Sequence, residues 1–268
     1  MSANMHVYQS IARAVSDHGT DTVFGLMGDA NLFMVDSFVR DCGGRFVPAA
    51  HEGSSVLMAL AYAHVSGTPG VATVTHGPAL TNCMTALTEG ARGHIPMVLI
   101  AGDTPVANPR HLQGIDQREV VKAAGAGFEQ LRAPDTVCMD VARAFYRAQV
   151  ERRPIVLNVP ADFMWQETSH EARVLDVFTA PGGVAEGGIL DEAIGMIAAA
   201  RRPLILAGAG AIAARAQLIR LADRLEAPLA TTLKAKGLFH DHPFNIDIFG
   251  TLSTPAAYDL IAQSDCII

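Results

Sequence analysis

The chain has 268 residues, half of them hydrophobic and 18% charged, which describes a globular protein with a substantial core and excludes a disordered chain. Its formal net charge of -7 at pH 7, without a Lys/Arg cluster, argues against a nucleic-acid partner. The longest apolar runs are too short to cross a bilayer, and no basic segment followed by an apolar one opens the sequence. We therefore expect a cytoplasmic protein without a membrane or nucleic-acid partner.

Short apolar runs alternate with helical patterns along the chain, which predicts βαβ units around a parallel sheet. In chain order, the spacing predicts a helix over 5–18, a strand over 22–27, a helix through Asp36 and Phe38, a strand over 45–49, a helix from 54, a strand over 70–75, a helix over 79–90, a strand over 96–101, a helix over 136–150 and a strand over 154–159. Residues 102–127 are expected to form a long irregular connection with one short helical pattern at 119–124.

The Gly/Pro-rich composition around residues 180–188 predicts an interdomain linker over 166–188, between a first domain at 1–165 and a second α/β unit at 189–268. The second unit is predicted to hold a helix to 200, a strand over 203–207, a helix to 225 and strands over 228–231 and 264–268. Because the last strand lacks its crossover, we expect the second domain to be incomplete and the chain to be a fragment or a truncated product. A natural full-length product with a mass of 28.3 kDa would contradict that expectation.

Glu52 is the most informative single residue, because it stands where an apolar strand gives way to an alanine-rich helix. Residues 54–66 carry apolar side chains on every face, so the helix is expected to be buried almost all round. The positive end of the helix dipole favours a carboxylate there, whereas burial favours its neutral form, and such a group can exchange a proton near neutral pH. The alternative is a carboxylate that only complements the helix dipole.

Metal ligation is not predicted. Four cysteines are scattered without metal-ligand spacing, and in a reducing compartment they are expected to be buried small hydrophobic residues: Cys42, Cys83, Cys138 and Cys266. The pair His51-Glu52 would begin a His-Glu-x-x-His zinc helix only with a second histidine at position 55, which is a serine.

Four segments in chain order form a recognisable pattern: VFGLMGDAN at 23–31; HEG at 51–53 followed by ALAYA at 59–63 and SGTPGV at 66–71; THGPALTN at 75–82; and PMVLIAG at 96–102. Together, over residues 5 to about 165, they resemble thiamine diphosphate enzymes of the acetolactate synthase, benzoylformate decarboxylase and pyruvate decarboxylase group. Residues 202–210 and 227–239 resemble the first part of the central domain of the same family. The implied architecture is the thiamine diphosphate-binding α/β fold, a parallel sheet flanked by helices, followed by an incomplete Rossmann-like central domain.

The resemblance implies a catalytic role for Glu52. In the family, a glutamate at this position hydrogen-bonds N1′ of the aminopyrimidine and shifts it toward its imino form, so that the C2 proton of the thiazolium can be removed. The implied cofactor-binding residues are Met27, Gly28, Glu52, Thr75, Pro78 and Asn82. For the residues beside Glu52, ordinary strand-to-helix turn chemistry is the alternative interpretation.

The residues that bear on the substrate resemble two different groups of enzymes within the family. Asp29 resembles the active-site acid of the decarboxylases, whereas the loop from His111 to Asp116 resembles the synthase loop that carries an active-site glutamine, here Gln113. His76 is expected either to face the substrate or to bond the backbone of its loop. The resemblance therefore implies an acetolactate synthase-like lyase or carboligase acting on a 2-oxo acid, with a simple 2-oxo acid decarboxylase as the alternative.

The cofactor implied is thiamine diphosphate with Mg²⁺, anchored in the family by a Gly-Asp-Gly segment of a third domain that this sequence does not contain. FAD at Gly208-Ala-Gly210 is a less favoured possibility, since residues 249–255 lack the His-Gly of the flavin-binding members. Because the family binds its cofactor between subunits, a homodimer or homotetramer is implied, and the chain alone is expected to be inactive.

Two other functions remain open at this point. The chain could be a noncatalytic fragment or subunit that needs a partner carrying the diphosphate domain. It could also be a nucleotide-binding dehydrogenase that uses Gly208 and Gly210, although no acidic residue is clearly placed to hold a ribose.

Overall fold

The computed structural model describes residues 4–108, 110–178, 183 and 187–268. The chain divides into two compact units, residues 1–179 and 180–268. The elements of the first unit are β1 (Asn4–His6), α1 (Val7–Asp17), β2 (Thr22–Gly25), α2 (Leu32–Arg40), β3 (Arg45–Pro48), α3 (Glu52–Ser66), β4 (Gly70–Val74), α4 (Pro78–Thr81), α5 (Met84–Gly93), β5 (Met97–Asp103), α6 (Gln117–Ala123), β6 (Gly127–Gln130), α7 (Val137–Glu151), β7 (Pro154–Pro160) and β8 (Glu167–Ser169).

The first unit is built on a parallel sheet of six described strands, in the order β3-β2-β4-β5-β7-β6. From β2 the chain passes to β3 on one side and then returns to β4 on the other, so the strand order reverses at β2. All six strands end at the same edge of the sheet because they are parallel. In open α/β sheets, ligands bind at the carboxyl edge beside such a reversal.

Helices cover both faces of this sheet, as the predicted fold class requires. Strand β5 shows the arrangement, since Val98 and Ile100 pack in the layer formed with α1, α2 and α7. Met97, Leu99 and Ala101 pack in the opposite layer, formed with α3, α5 and α6. A strand buried on both faces has a continuous apolar sequence, which is why β4, β5 and β7 were recognisable.

The short elements differ from the sequence prediction. The predicted first helix begins only at Val7, because residues 4–6 form β1, which pairs antiparallel with β8. Strand β8 occupies 167–169, inside the predicted linker, while residues 179–182 and 184–186 of that linker lie outside the described residues. The predicted helix over 79–90 is two helices, since Cys83 N–H bonds the carbonyl of Leu80, a tight i−3 bond that interrupts the α-helical pattern.

The prediction that the helix after Glu52 is buried almost all round was wrong for this chain. One face of α3 packs on the sheet, including Val56, Ala59 and Leu60. The other face is open, with Leu57 50% and Val65 86% exposed. An apolar sequence on every face does not determine which side of a helix packs, and a sheet offers only one side to it.

The second unit is a smaller α/β unit with a parallel sheet in the order β11-β10-β9-β12. Its elements are α8 (Gly188–Ala199), β9 (Pro203–Ala207), a 3₁₀ helix (Ala209–Ala214), α9 (Arg215–Leu225), β10 (Leu229–Thr231), a 3₁₀ helix (Leu233–Ala235), β11 (Asn245–Ile248), α10 (Pro255–Gln263) and β12 (Cys266–Ile267). The sequence did not predict β11 or α10. Strand β11 carries Asp247 at a φ of 65°, and its register with β10 is irregular.

No helix in the described part of the chain is both long and apolar enough to cross a membrane.

Candidate active site

The residues singled out in the sequence lie at the carboxyl edge of the first sheet, around the reversal of strand order. The turn of residues 26–31 follows β2, the pair His51-Glu52 follows β3, and residues 75–77 follow β4. Helix α4 then leads from Pro78 to Asn82. Three neighbouring strand ends therefore supply the candidate site.

Glu52 is the first residue of α3, and a hydrogen bond fixes one of its carboxylate oxygens. His51 precedes the helix, and its Nδ1 accepts the backbone N–H of Gly53 at 3.1 Å. Asn82 Nδ2 donates to Glu52 Oε2 at 2.9 Å. Within the described ranges, Oε1 of Glu52 accepts no hydrogen bond, and the side chain is only partly buried. The carboxylate is thus oriented through one oxygen, and its other oxygen is not fixed by a hydrogen bond within the described residues.

A buried asparagine that the sequence analysis did not select shapes the turn after β2. Asn31 is 1% exposed, and its Oδ1 accepts the backbone N–H of Gly28 at 2.7 Å. Its Nδ2 donates to the carbonyl of Leu26 at 3.2 Å and to Thr73 Oγ1 at 3.1 Å. An asparagine immediately before a predicted helix was the available signal, although here it bonds the turn and not the helix N-terminus.

Position 28 requires a glycine because the neighbouring loop leaves no room for a side chain. A Cβ there would lie 2.8 Å from Cβ of Thr75, which is closer than side-chain atoms approach one another. The residue before it, Met27, is 48% exposed. The turn after β2 therefore packs directly against the loop after β4.

Asp29 and the loop after β4 form a charged contact. Thr75 Oγ1 donates to Asp29 Oδ1 at 2.9 Å, and His76 Nε2 lies 3.7 Å from the same oxygen. Partial burial raises the pKa of Asp29, but the hydrogen bond from Thr75 and the charge of a protonated His76 outweigh it, so the pKa is below its ordinary value. Asp29 is therefore an anion at neutral pH.

His76 is buried beside His111 and retains an unused polar atom. Its exposed fraction is 2%, and among the described residues its Nδ1 has no hydrogen-bond partner. The ring of His111 meets it edge-on, with 5.3 Å between the ring centres. The expected alternative, a histidine bonded to its own loop backbone, is not what the structure shows. A buried polar atom without a partner in the protein is available to bind a ligand or a water molecule.

The loop after β5 lies over the turn at Gly77. Gly77 has a φ of 60°, and a Cβ there would overlap the carbonyl oxygen of Gln113. The backbone N–H of Gln113 donates to His111 Nδ1 at 3.3 Å. The structure thus brings Asp29, His76 and His111 together, whereas Gln113 joins them through its backbone.

Two buried side-chain amides that the sequence analysis missed hold this loop through hydrogen bonds. Gln117 Oε1 accepts the N–H of Gly77 at 2.7 Å, while its Nε2 donates to the carbonyl of Gly102 at 2.9 Å and to Asn158 Oδ1. Asn158 Nδ2 donates in turn to Asp103 Oδ2 at 2.6 Å. The signal for Asn158 was its position inside the apolar run PIVLNVP, since a buried amide must be hydrogen-bonded.

The described residues contain no group of three or more His, Cys, Asp or Glu side chains that could hold a metal ion. In the second unit, a 3₁₀ helix follows Gly208, and α9 begins only at Arg215. A Cβ on Gly208 would meet nothing closer than 3.8 Å, and one on Gly210 would meet nothing within 4 Å. These two glycines therefore have no packing requirement within the described chain, and they do not open an α-helix directly, as a dinucleotide-binding turn does.

Comparison with known proteins gives the same family for both units. The thiamine pyrophosphate enzyme N-terminal TPP binding domain matches residues 5–122, and the central domain of the same enzymes matches residues 190–268. The chain is 33% identical to a probable 2-ketoarginine decarboxylase of Pseudomonas aeruginosa over 97% of its own length and 47% of the relative. It is 30% identical to a sulfoacetaldehyde acetyltransferase of Rhodobacter capsulatus, over 98% of the chain and 45% of that relative.

A third relative, the acetolactate synthase large subunit of Mycobacterium tuberculosis, is 32% identical over 97% of this chain and 43% of its own length. The chain thus spans a little under half the length of these curated relatives. Together the two domain matches account for most of the sequence, and they follow each other in the order in which the structure shows two α/β units. The chain belongs to the thiamine pyrophosphate enzyme family.

Proposed function

We propose that the chain provides the pyrimidine-binding and central parts of a thiamine diphosphate-dependent lyase or carboligase, acetolactate synthase-like, that acts on a 2-oxo acid. The observation that carries the proposal is the Glu52–Asn82 pair at the carboxyl edge of the sheet. The names of the relatives include a synthase, an acetyltransferase and a decarboxylase. A simple 2-oxo acid decarboxylase is therefore the alternative.

Glu52 is proposed to hold and move the proton at the pyrimidine ring. When bound, the cofactor supplies an acidic carbon that adds to a carbonyl group. Asn82 fixes Oε2 of Glu52, so that Oε1 is presented in one direction for a proton on a ring nitrogen. The turn held by Asn31 presents backbone groups of Met27 and Gly28 at the same edge, and Thr75 and Pro78 complete the proposed pocket.

Asp29, His76, His111 and Gln113 are proposed to face the substrate. Because the lowered pKa of Asp29 leaves it without a proton at neutral pH, it acts as an acceptor and as an electrostatic partner of His76. The imidazoles of His76 and His111 are then the groups that can donate a proton on this side. The unpartnered Nδ1 of His76 supports a polar substrate group close to it.

The diphosphate and Mg²⁺ are proposed to be anchored outside residues 1–268, because this sequence contains no Gly-Asp-Gly segment. Residues 1–268 alone are accordingly expected to be inactive, and FAD at Gly208 and Gly210 remains less favoured. A homodimer or homotetramer is supported by the open apolar face of α3, with Leu57 and Val65 exposed. A cytoplasmic location stays a prediction from the sequence.

The experiment is Glu52→Gln in the complete protein, with the exchange of the cofactor C2 proton for deuterium followed by NMR after acid quench. Glutamine keeps the shape but cannot accept the proton, so exchange should slow by at least about 100-fold. Glu119→Gln, an exposed carboxylate paired with Lys122, is the matched control and should leave exchange unchanged. Unchanged exchange in Glu52→Gln would refute the proposed role.

A noncatalytic subunit that needs a diphosphate-binding partner is the second candidate. Calorimetric titration of residues 1–268 with thiamine diphosphate and Mg²⁺ tests whether these residues can hold the diphosphate by themselves. Weak or absent binding is expected for this chain alone, and addition of the partner domain should restore it. Tight binding to residues 1–268 would show that the anchor lies within them.

A further inference from the structure

A second cluster of reactive side chains lies in the first unit, apart from the candidate active site. Cys138 Sγ is 3.4 Å from Nδ1 of His170, and Ser10 Oγ is 3.1 Å from the same nitrogen. Nε2 of His170 is 2.8 Å from Asp17 Oδ2. Ser10 and Asp17 are on α1, Cys138 is on α7, and His170 follows β8. Three elements thus bring a thiol, a hydroxyl, an imidazole and a carboxylate together.

The carboxylate determines the state of the imidazole. Asp17 accepts a hydrogen bond, so Nε2 of His170 carries a proton. In the neutral ring Nδ1 then has a lone pair, and this atom faces the thiol of Cys138. An acceptor on one side of a histidine and a nucleophile on the other is the arrangement by which proteins activate a thiol or hydroxyl.

Two further features concern the surroundings of Cys138. It is the second residue of α7, where the positive end of the helix dipole lies. Ser10 Oγ is 3.6 Å from its sulfur and can donate to it. The neighbouring charge on α7, Asp140, is compensated by Arg143 at 3.3 Å. Ser10 is 0% exposed and Cys138 is 9% exposed, so of these two residues only Cys138 has a surface that a small reagent can reach.

We propose that Cys138 is a base-activated thiol and a modification site for small soft electrophiles, above all hydroperoxides, with His170 as base and Asp17 as the residue that orients it. In the reaction with hydrogen peroxide, Nδ1 of His170 takes the thiol proton and the sulfur attacks one peroxide oxygen. The S–O bond forms as the O–O bond breaks, and the leaving hydroxide takes the proton from His170. The products are a cysteine sulfenic acid and water, so that sulfur is oxidised and peroxide is reduced.

The other three cysteines provide an internal control. Cys83 is 0% exposed, and burial, followed by the charge of Glu52, raises its pKa to about 12. Burial, partly offset by Arg13, also raises the pKa of Cys42, which is partly exposed. Cys266 of the second unit is partly exposed as well. If exposure alone decided reactivity, Cys42 and Cys266 would react before Cys138.

The test is peptide-resolved mass spectrometry of residues 1–268 after brief exposure to iodoacetamide from pH 6 to pH 9, and after hydrogen peroxide with dimedone trapping. We expect Cys138 to be alkylated about tenfold faster than Cys42 at pH 7. It should also carry most of the dimedone label. Equal or slower alkylation of Cys138 in the unmodified protein would overturn the proposal without the need for any variant.

Variants show whether the reactivity of Cys138 comes from its activation by His170 or only from its exposure to solvent. His170→Gln should slow alkylation of Cys138 by about tenfold and move its pH profile upward, and Asp17→Asn should have a smaller effect in the same direction. Glu171→Gln, an exposed neighbour paired with Arg173, is the control. The rate at Cys42 in each variant reports whether the unit is still folded. An unchanged Cys138 rate in folded His170→Gln would assign the cluster a purely structural role.

Discussion

The carboxyl edges of the two sheets differ in how closely other residues pack against their glycines, although both edges follow parallel strands in α/β units. In the first unit, a Cβ at Gly28 would lie 2.8 Å from Thr75, and one at Gly77 or Gly102 would overlap Gln113 or Ala30. In the second unit, a Cβ on Gly208 or Gly210 would meet no atom closer than 3.8 Å. A glycine after a strand therefore indicates a closely built site only where neighbouring loops pack against it.

The buried polar groups show the same contrast. At the edge of the first sheet, Asn31, Gln117 and Asn158 are buried and each makes several hydrogen bonds. In the second unit, Thr231 at the end of β10 is buried, and among the described residues its Oγ1 has no partner. Hydrogen-bonded amides hold loops in one geometry, which a catalytic carboxylate such as Glu52 requires.

The contrast between the glycines is tested most strongly by Gly77→Ala. Its positive φ and the overlap with Gln113 should lower the free energy of unfolding by about 2–4 kcal/mol, measured by urea denaturation. Gly210→Ala is the matched substitution in the second unit and should change the stability by less than about 0.5 kcal/mol. Equal effects of the two would show that the edge of the first sheet is no more closely packed than that of the second.

The contrast between the buried polar groups is tested by Gln117→Leu. This substitution leaves the N–H of Gly77 and the carbonyl of Gly102 without their partners, and it should cost about 1–3 kcal/mol of unfolding free energy. Thr231→Val, which removes a hydroxyl without a described partner, should be neutral or slightly stabilising by the same measurement. A loss of stability in Thr231→Val that matched the loss in Gln117→Leu would remove the distinction.

The smallest expected effect concerns the charge of Asp29. Because its pKa is lower in the folded chain than its ordinary value of 3.8, the ionised form contributes stability above that value, and this stability is lost as the pH falls through the folded pKa. The side chain is 73% exposed, so solvent screening limits the contribution to no more than about 0.5 kcal/mol. Thr75→Val should raise the pKa of Asp29 in a ¹³C NMR titration, whereas Thr81→Val, whose hydroxyl bonds Pro78, should not.

Elements with a clear apolar run were predictable, and several elements without one were not. The continuous apolar runs of β4, β5 and β7 predicted a sheet buried on both faces, as the structure shows. Strand β6 has the sequence GFEQ and β1 has the sequence NMH, so neither contains an apolar run. Their pairing with β7 and β8 is a tertiary contact that the local sequence does not indicate.

The amino-acid sequence by itself determined the α/β class, the family, and the position of Glu52 at the start of a helix, because these depend on local periodicity and on motifs in order along the chain. Only the tertiary structure decided which face of α3 is open, which buried amides support the loop at Gly77, and that Cys138 meets His170 and Asp17. These contacts join residues far apart in the chain, such as Glu52 with Asn82 and Cys138 with His170. No local pattern encodes such a contact, since it forms only when separate strands and helices pack together.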